Sequence, residues 1–402
     1  MKRTDIPQLP PHVPRPCRGL TLIELLVAIV LALVVVLAVT NLVIVGEAQK
    51  RTTAGGNDAN QSGNFAAYAL DRALRSAGSG FAQAWDQGIF GCRLNARRTI
   101  GASLTTVLPR AAAFPAPFAG FLAGAPGTLT AAPVLIGQGM SAGGSDVLVV
   151  MGGNGSSGDV VRPVRSSVSG GVRLDNTVGL RNGDMVLVTQ QGNADCLIEQ
   201  VAVADNDAFI AAGNDVLPLG GTYATNAALE TVASSTTASL SVLGNVGANN
   251  VQFQMFGVDT HGTLVAYDLL RNAAVATDPD PILPIADNVI EMHALYGIDT
   301  STPRDNIVDS WVAPADEWAL DEVVASASKM RQIVAVRVAL VLRSPTYEKE
   351  AVTPARPALF ADAGTAAIAA ADYAANSAEL HYRLRVIDVT VPLRNILLLP
   401  AS

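Results

Sequence analysis

The chain has 402 residues, half of them hydrophobic, 15% charged and only 5% aromatic, which suits one or two folded domains and excludes an intrinsically disordered polymer. Its net charge is −8, and since residues 1–19 hold +3 (Lys2, Arg3, Arg15 and Arg18 against Asp5), the remainder holds −11. That acidity speaks against a nucleic-acid groove, and the excess of Gly, Ala, Ser, Thr and Val over aromatics favours many short strands over a helical bundle.

Residues 1–19 contain Pro7, Pro10, Pro11, Pro14 and Pro16 and read as a basic, solvated tail, since each proline removes a helical hydrogen bond. Residues 20–45 are apolar except for Thr21, Glu24, Thr40 and Asn41. At roughly 1.5 Å per residue such a helix covers a hydrocarbon core of about 30 Å, so one membrane span is expected here. Basic residues precede it and none follows until Lys50, which puts the N-terminus on the cytoplasmic side. A plain signal anchor, a cleaved secretory signal and a buried core helix are the competing readings. A secretory signal has a shorter apolar region with its small-residue cleavage site behind it, whereas Gly19 stands in front. An anchor leaves Glu24 unexplained, an acid that costs roughly 2.5 to 3.5 kcal/mol at mid-membrane.

Gly19 followed by Leu20-Thr21-Leu22-Ile23-Glu24 resembles the leader of type IV prepilins. The resemblance implies cleavage by a prepilin peptidase between Gly19 and Leu20, N-methylation of Leu20, and a Glu24 that pairs with the α-amino group of a neighbouring subunit during filament assembly. Leu20 departs from the usual Phe or Met, and the 19-residue leader is longer than most. Solvation agrees with the implied pairing, because an ammonium and a carboxylate in a bilayer recover lost hydration only by meeting.

The chain beyond the span begins with residues 46–63, where Gly46, Gly55, Gly56 and Gly63 each cost a helix roughly 1 kcal/mol, so a continuing helix is expected to be weak. From Asn64 an amphipathic helix is predicted, with Phe65, Ala66, Ala69, Leu70, Ala73, Leu74 and Ala77 on one stripe, an Asp71–Arg75 pair opposite, and Gly78 and Gly80 at its end. Strands are predicted over residues 146–151, 185–189, 196–203, 251–258, 264–269, 289–296, 332–342 and 380–389. Residues 345–378, rich in Pro and Ala, read as a long insertion with a short helix around 366–375. These elements divide the chain into a leader (1–19), a span (20–45), a helical continuation (46–80) and a β-rich globular domain (81–402).

Several segments are similar to the PilW family of minor pilins: FAAYALDRALRSAG with the following Gly91-Cys92, GSDVLVVMG, GDMVLVTQQGNADC, VIEMHALYGIDT, IVDSWVA, IVAVRVALVLRS and LRVIDVTVPLRN. The resemblance implies an α+β, pilin-like fold in which a long N-terminal helix packs on a large antiparallel β-rich periplasmic domain. It implies a minor pilin in a priming or tip complex of a type IV pilus. Its partners would be other minor pilins, the major pilin, a tip adhesin, the inner-membrane assembly platform and the prepilin peptidase. A minor pseudopilin of type II secretion and a ligand-binding tip adhesin are the alternatives.

Three cysteines are present, and Cys17 lies in the leader. Cys92 and Cys196 remain as an even pair in an oxidising compartment, where a disulfide is expected; two buried free thiols are the alternative. Asp299, Asp305 and Asp309 sit in a turn-rich loop reminiscent of calcium loops, but Ser301, Pro303 and Ser310 occupy ligand positions 3, 5 and 12 of an EF-hand. Asx turns are the favoured reading there, so no cofactor is expected and calcium is the alternative. Gly139-Met-Ser141-Ala-Gly143 matches G-x-S-x-G by letter, yet a strand pattern follows it and His261, His293 and His381 stand in no triad context, so no enzyme is expected. His293 reads as a core or edge histidine. Arg93, Arg97 and Arg98 read as a solvated basic face.

Overall fold

A computed structural model describes residues 21–123, 128–155, 159–203, 215–225, 229–271 and 281–400. Gly19 and Leu20 lie outside the described residues. The chain divides into two compact units, Met1–Ala54 and Gly55–Ser402.

Helix α1 spans Leu22–Ser76 and runs through the glycines at 46, 55, 56 and 63, including the segment expected to be weak from helix propensity. At Gly63 packing accounts for the glycine. Gly63 is buried, and a Cβ there would stand 2.8 Å from Leu342 Cδ2, so the missing side chain lets the helix approach the sheet closely. Ala66, Leu70, Ala73, Leu74 and Ala77 are buried at the predicted spacing. Phe65, predicted on the same stripe, instead lies at its margin and is 56% exposed. The helix stops where the chain must cross a strand. Gly78 and Gly80 adopt φ of +77° and +88°, Gly78 N–H donates to Met151 O at 2.8 Å, and the Asn395 side chain donates to Ala77 O at 2.8 Å.

Among the described residues the β domain comprises four sheets. The largest has eight strands in the order β2 (Ser103–Leu108), β1 (Arg93–Ile100), β8 (Asp195–Gln200), β7 (Asp184–Gln190), β10 (Ala238–Asn245), β5 (Arg162–Val168), β6 (Gly171–Leu174) and β9 (Val216–Pro218). A five-stranded sheet runs β13 (Ile282–Asp287), β12 (Thr263–Asp268), β11 (Val251–Val258), β4 (Val147–Gly153) and β3 (Val134–Gly137). A four-stranded sheet runs β15 (Ser310–Val312), β14 (Val289–Ile298), β16 (Ile333–Arg343) and β19 (Leu384–Pro392). A short hairpin pairs β17 (Ala355–Arg356) with β18 (Ala371–Asp372).

Ladders between these strands are antiparallel except for β1 beside β8, which run parallel with Leu94 opposite Cys196. The eight strands predicted from sequence correspond to β4, β7, β8, β11, β12, β14, β16 and β19. Of the strands missed, β1 (RLNARRTI) and β5 (RPVRSSV) lack a continuous apolar pattern because only one or two of their side chains are fully buried.

The main core joins α1 to the five- and four-stranded sheets, with Leu70 and Leu74 facing Val338, Leu340, Val389 and Val391. A second, smaller core lies within the eight-stranded sheet around Val164, Val186, Leu197, Leu217 and Leu240. The helix expected around residues 366–375 is not formed. A 3-10 turn at Gly364–Ala366 and strand β18 occupy that stretch, and Leu359, Phe360, Ala363 and Ala366 bury themselves against Leu295, Ala339 and Val341. Burying those four apolar side chains on an existing sheet face outweighs the intrinsic helix preference of an Ala-rich run.

Candidate assembly site

The N-terminal end of α1 is where the sequence places processing and assembly. Leu22–Glu47 is 26 residues long, about 39 Å at 1.5 Å per residue, and apolar enough to cross a bilayer. Its large side chains face outward along the whole length, from Leu22 at 79% exposure to Ile44 at 61%. Thr21 and Glu24 stand at its start. The Thr21 N–H and hydroxyl donate to Glu24 Oε2 at 3.2 and 3.0 Å, and Glu24 N–H donates to Thr21 Oγ1 at 3.3 Å. This reciprocal pattern is a capping box, in which the first-turn acid satisfies N–H groups that the helix leaves unpaired. Thr-x-x-Glu ahead of an apolar run is a sequence signature of this box, beside the assembly role that the resemblance implies for Glu24.

Cys92 and Cys196 form a disulfide across 104 residues, and both are buried. Cys92 immediately precedes β1 and Cys196 lies in β8, so the bond crosses the parallel β1–β8 pair. Arg93, the first residue of the basic cluster, donates to Asp195 Oδ1 at 2.6 Å, and its side-chain hydrogen bond holds the Asp195 carboxyl below the usual carboxylate range. Arg98 lies over the Tyr223 ring at 5.8 Å. The cluster is therefore partly committed to neighbours within the sheet.

In the acidic loop each carboxylate turns to hydrogen-bond donors of its own segment. Asp299 accepts from the Ser301 and Asn306 N–H groups at 3.0 and 2.8 Å, and Asp305 accepts from Ile307 N–H at 2.9 Å. Asp309 accepts from the Thr300 N–H and hydroxyl at 2.7 and 2.8 Å, and the Thr300 N–H bond holds its carboxyl below the usual range. The Asp299–Ser301 and Asp305–Ile307 bonds are Asx turns, whereas Asp309 reaches back across the loop to Thr300. Arg304 Nε also stands 3.8 Å from Asp299 Oδ2, a cation beside one of the three oxygen groups that a calcium ion would need. Among the described residues no group of three or more His, Cys, Asp or Glu is arranged to hold a metal.

Ser141 of the G-x-S-x-G stretch donates to Val258 O at 2.7 Å and accepts from Val258 N–H at 2.9 Å. Its hydroxyl thus stitches a loop to the end of β11 and is not held for attack on a substrate. His261 lies close by but its Nδ1 stands 3.6 Å from Asp259, whose Oδ1 accepts from the His261 and Thr263 N–H groups in a turn. His381 Nδ1 lies 2.9 Å from Glu348 O and its ring stacks on Tyr347.

His293 has a role that sequence alone did not reveal. On β14 its Nδ1 stands 3.6 Å from Asp146 and its Nε2 3.5 Å from Glu291, while Arg356 of β17 reaches Glu291 at 3.6 Å. Asp146 is buried and also accepts from the Gly139 and Ala294 N–H groups at 2.9 and 2.8 Å. Burial pulls the imidazole pKa down, but hydrogen bonds and charge from Asp146 and Glu291 prevail and raise it to about 9. A protonated His293 therefore ties the loop before β4, strand β14 and the inserted hairpin together. The motif was hidden because Asp146 lies 147 positions before His293, although Glu291 is two residues away on the same strand.

Comparison with known proteins agrees with both ends of this description. Residues 255–395 match the family model described as Type IV Pilus-assembly protein W, and residues 14–40 match the model of the Prokaryotic N-terminal methylation motif. No curated protein and no solved structure matches the chain.

Proposed function

Because the chain belongs to the PilW family of type IV pilins, we propose that it acts as a minor pilin in the priming or tip complex of a type IV pilus. The observation that carries this reading is the Leu22–Glu47 helix, apolar and exposed along its length, with Glu24 in its first turn and a methylation motif spanning its start. A helix of this kind anchors a subunit in a membrane and then needs the helices of other subunits around it.

Residues 1–19 stay on the cytoplasmic side, as their basic charge directs, and the β domain lies in the periplasm. A prepilin peptidase cuts between Gly19 and Leu20, and Leu20 is N-methylated. The capping box gives this step a definite physical form. In the isolated chain Glu24 is solvated by Thr21 of its own first turn. In the assembled bundle the ammonium on Leu20 of a neighbouring subunit joins that carboxylate, adding an ion pair to the local hydrogen bonds. Correct docking is rewarded because both charges remain costly in the bilayer when unmet. The partners are the other minor pilins, the major pilin, a tip adhesin and the inner-membrane assembly platform.

Deleting the gene and scoring pili, twitching and type II secretion separately tests the reading. The expected result is loss of pili and twitching with secretion intact. Normal piliation with lost secretion would reassign the protein to a secretion pseudopilus.

A further inference from the structure

Phe65, Tyr68 and Arg72 project from one face of α1 at spacings of three and four residues, and the two aromatics are 56% and 61% exposed. They form one wall of a groove of about 470 Å³ whose floor is the face of the five-stranded sheet, with Phe256 on β11, Ala266 on β12, and Leu283 and Ile285 on the edge strand β13. Leu283 is itself 54% exposed. The sheet face is thus covered by α1 on one side and left open beside it. An interface core is commonly built from such a mixture of aromatics, arginine and aliphatics.

We infer that this groove seats a helix from a different subunit of the pilus, apolar on one face and carrying a carboxylate at its flank. The inference rests on the pilus reading above. Three observations select this occupant. First, an added strand is disfavoured, because β13 carries Pro284 in its middle, and a proline lacks the N–H that edge pairing needs. Second, the exposed side chains of Phe65, Tyr68 and Arg72, spaced by three and four residues along α1, form the kind of ridge against which a neighbouring helix packs. Third, the groove is basic within an acidic chain. Arg271 is paired with Asp268 at 2.9 Å, whereas Arg72 is exposed and has no ion-pair partner among the described residues. A second copy fits poorly, since the aromatic helix face it would present carries the same Arg72.

The test places a photo-crosslinking residue at Tyr68 in the full chain in piliated cells, with a second variant at the exposed loop position Val178 as control. The expected result is an adduct at Tyr68 at least tenfold stronger than at Val178. The adduct should map to a helix of another pilin with a flanking carboxylate, drop about tenfold with Arg72→Glu, and return when that carboxylate is replaced by Lys. An adduct no stronger than at Val178, a self-adduct, an adduct to an extended segment, or a yield indifferent to Arg72→Glu would overturn the inference. Piliation and accumulation of full-length chain are scored in the same cells. Failure of the pilus reading appears as pili unaffected by deletion, whereas failure of this inference appears as no qualifying adduct in cells whose pili require the chain.

Discussion

The two ends of α1 differ in where the same kind of apolar residue finds itself. Toward the N-terminus Leu22, Leu33 and Leu42 are exposed at 79%, 63% and 73%; toward the C-terminus Leu70 and Leu74 are buried at 2% and 0%. A leucine at 70 or 74 is held by its own domain, so removing it changes folding stability. A leucine at 33 or 42 is exposed, and its burial is expected in lipid or among other helices. The charged residues follow the same division. Arg75 donates to Asp71 one turn earlier, on the packed segment, while Glu24 among the described residues meets Thr21 at its own helix start.

The division between folding and assembly yields four predictions on stability, taken from the largest effect down. Replacing both Cys92 and Cys196 by Ser should cost up to about 4.7 kcal/mol in the chain-entropy picture of a loop of about 100 residues, measured by denaturant unfolding with and without reductant. Leu74→Ala should cost about 2 to 5 kcal/mol, whereas Leu33→Ala should leave the unfolding of the β domain unchanged. An equal loss at the two positions would break the division.

His293 supplies the third prediction. Its folded pKa of about 9 exceeds the unfolded value of roughly 6.5, so its contribution is fully present below pH 6.5 and is lost as pH rises through 9. The difference in unfolding free energy between the parent protein and His293→Gln should shrink by roughly 3 kcal/mol between pH 6 and pH 10. A difference independent of pH would remove the protonated histidine from the account. The smallest stability effect is expected at Glu24→Ala, within about 1 kcal/mol for loss of one capping contact, but filament incorporation of that variant should fall steeply. A variant that incorporates normally would refute the assembly role.

Much of this architecture was legible in the sequence, and the reasons are local. Strands β4, β7, β14 and β16 are buried on both faces and read as apolar runs such as VLVVM and VAVRVALVL. The stripe of α1 was readable for the same reason, apart from Phe65, whose place at the margin depends on which face the sheet selects. Strands β1 and β5 were hidden because few of their side chains are fully buried, and each pairs on one edge with a strand distant in sequence, β1 with β8 in parallel and β5 with β10. At the candidate site Glu24 was identified from its spacing to Gly19, but the Thr21 capping box went unread. The Asp146–His293–Glu291–Arg356 cluster was illegible, since only the fold brings together residues from a loop, a strand and an inserted hairpin.

The central claim is that α1 begins its working life at Leu20, as the assembly helix of a processed pilin. Mass spectrometry of the N-terminus of the protein recovered from cells addresses it most directly. The account predicts a chain starting with N-methyl-Leu20, with residues 1–19 gone. An intact Met1, or cleavage beyond the apolar segment, would contradict it.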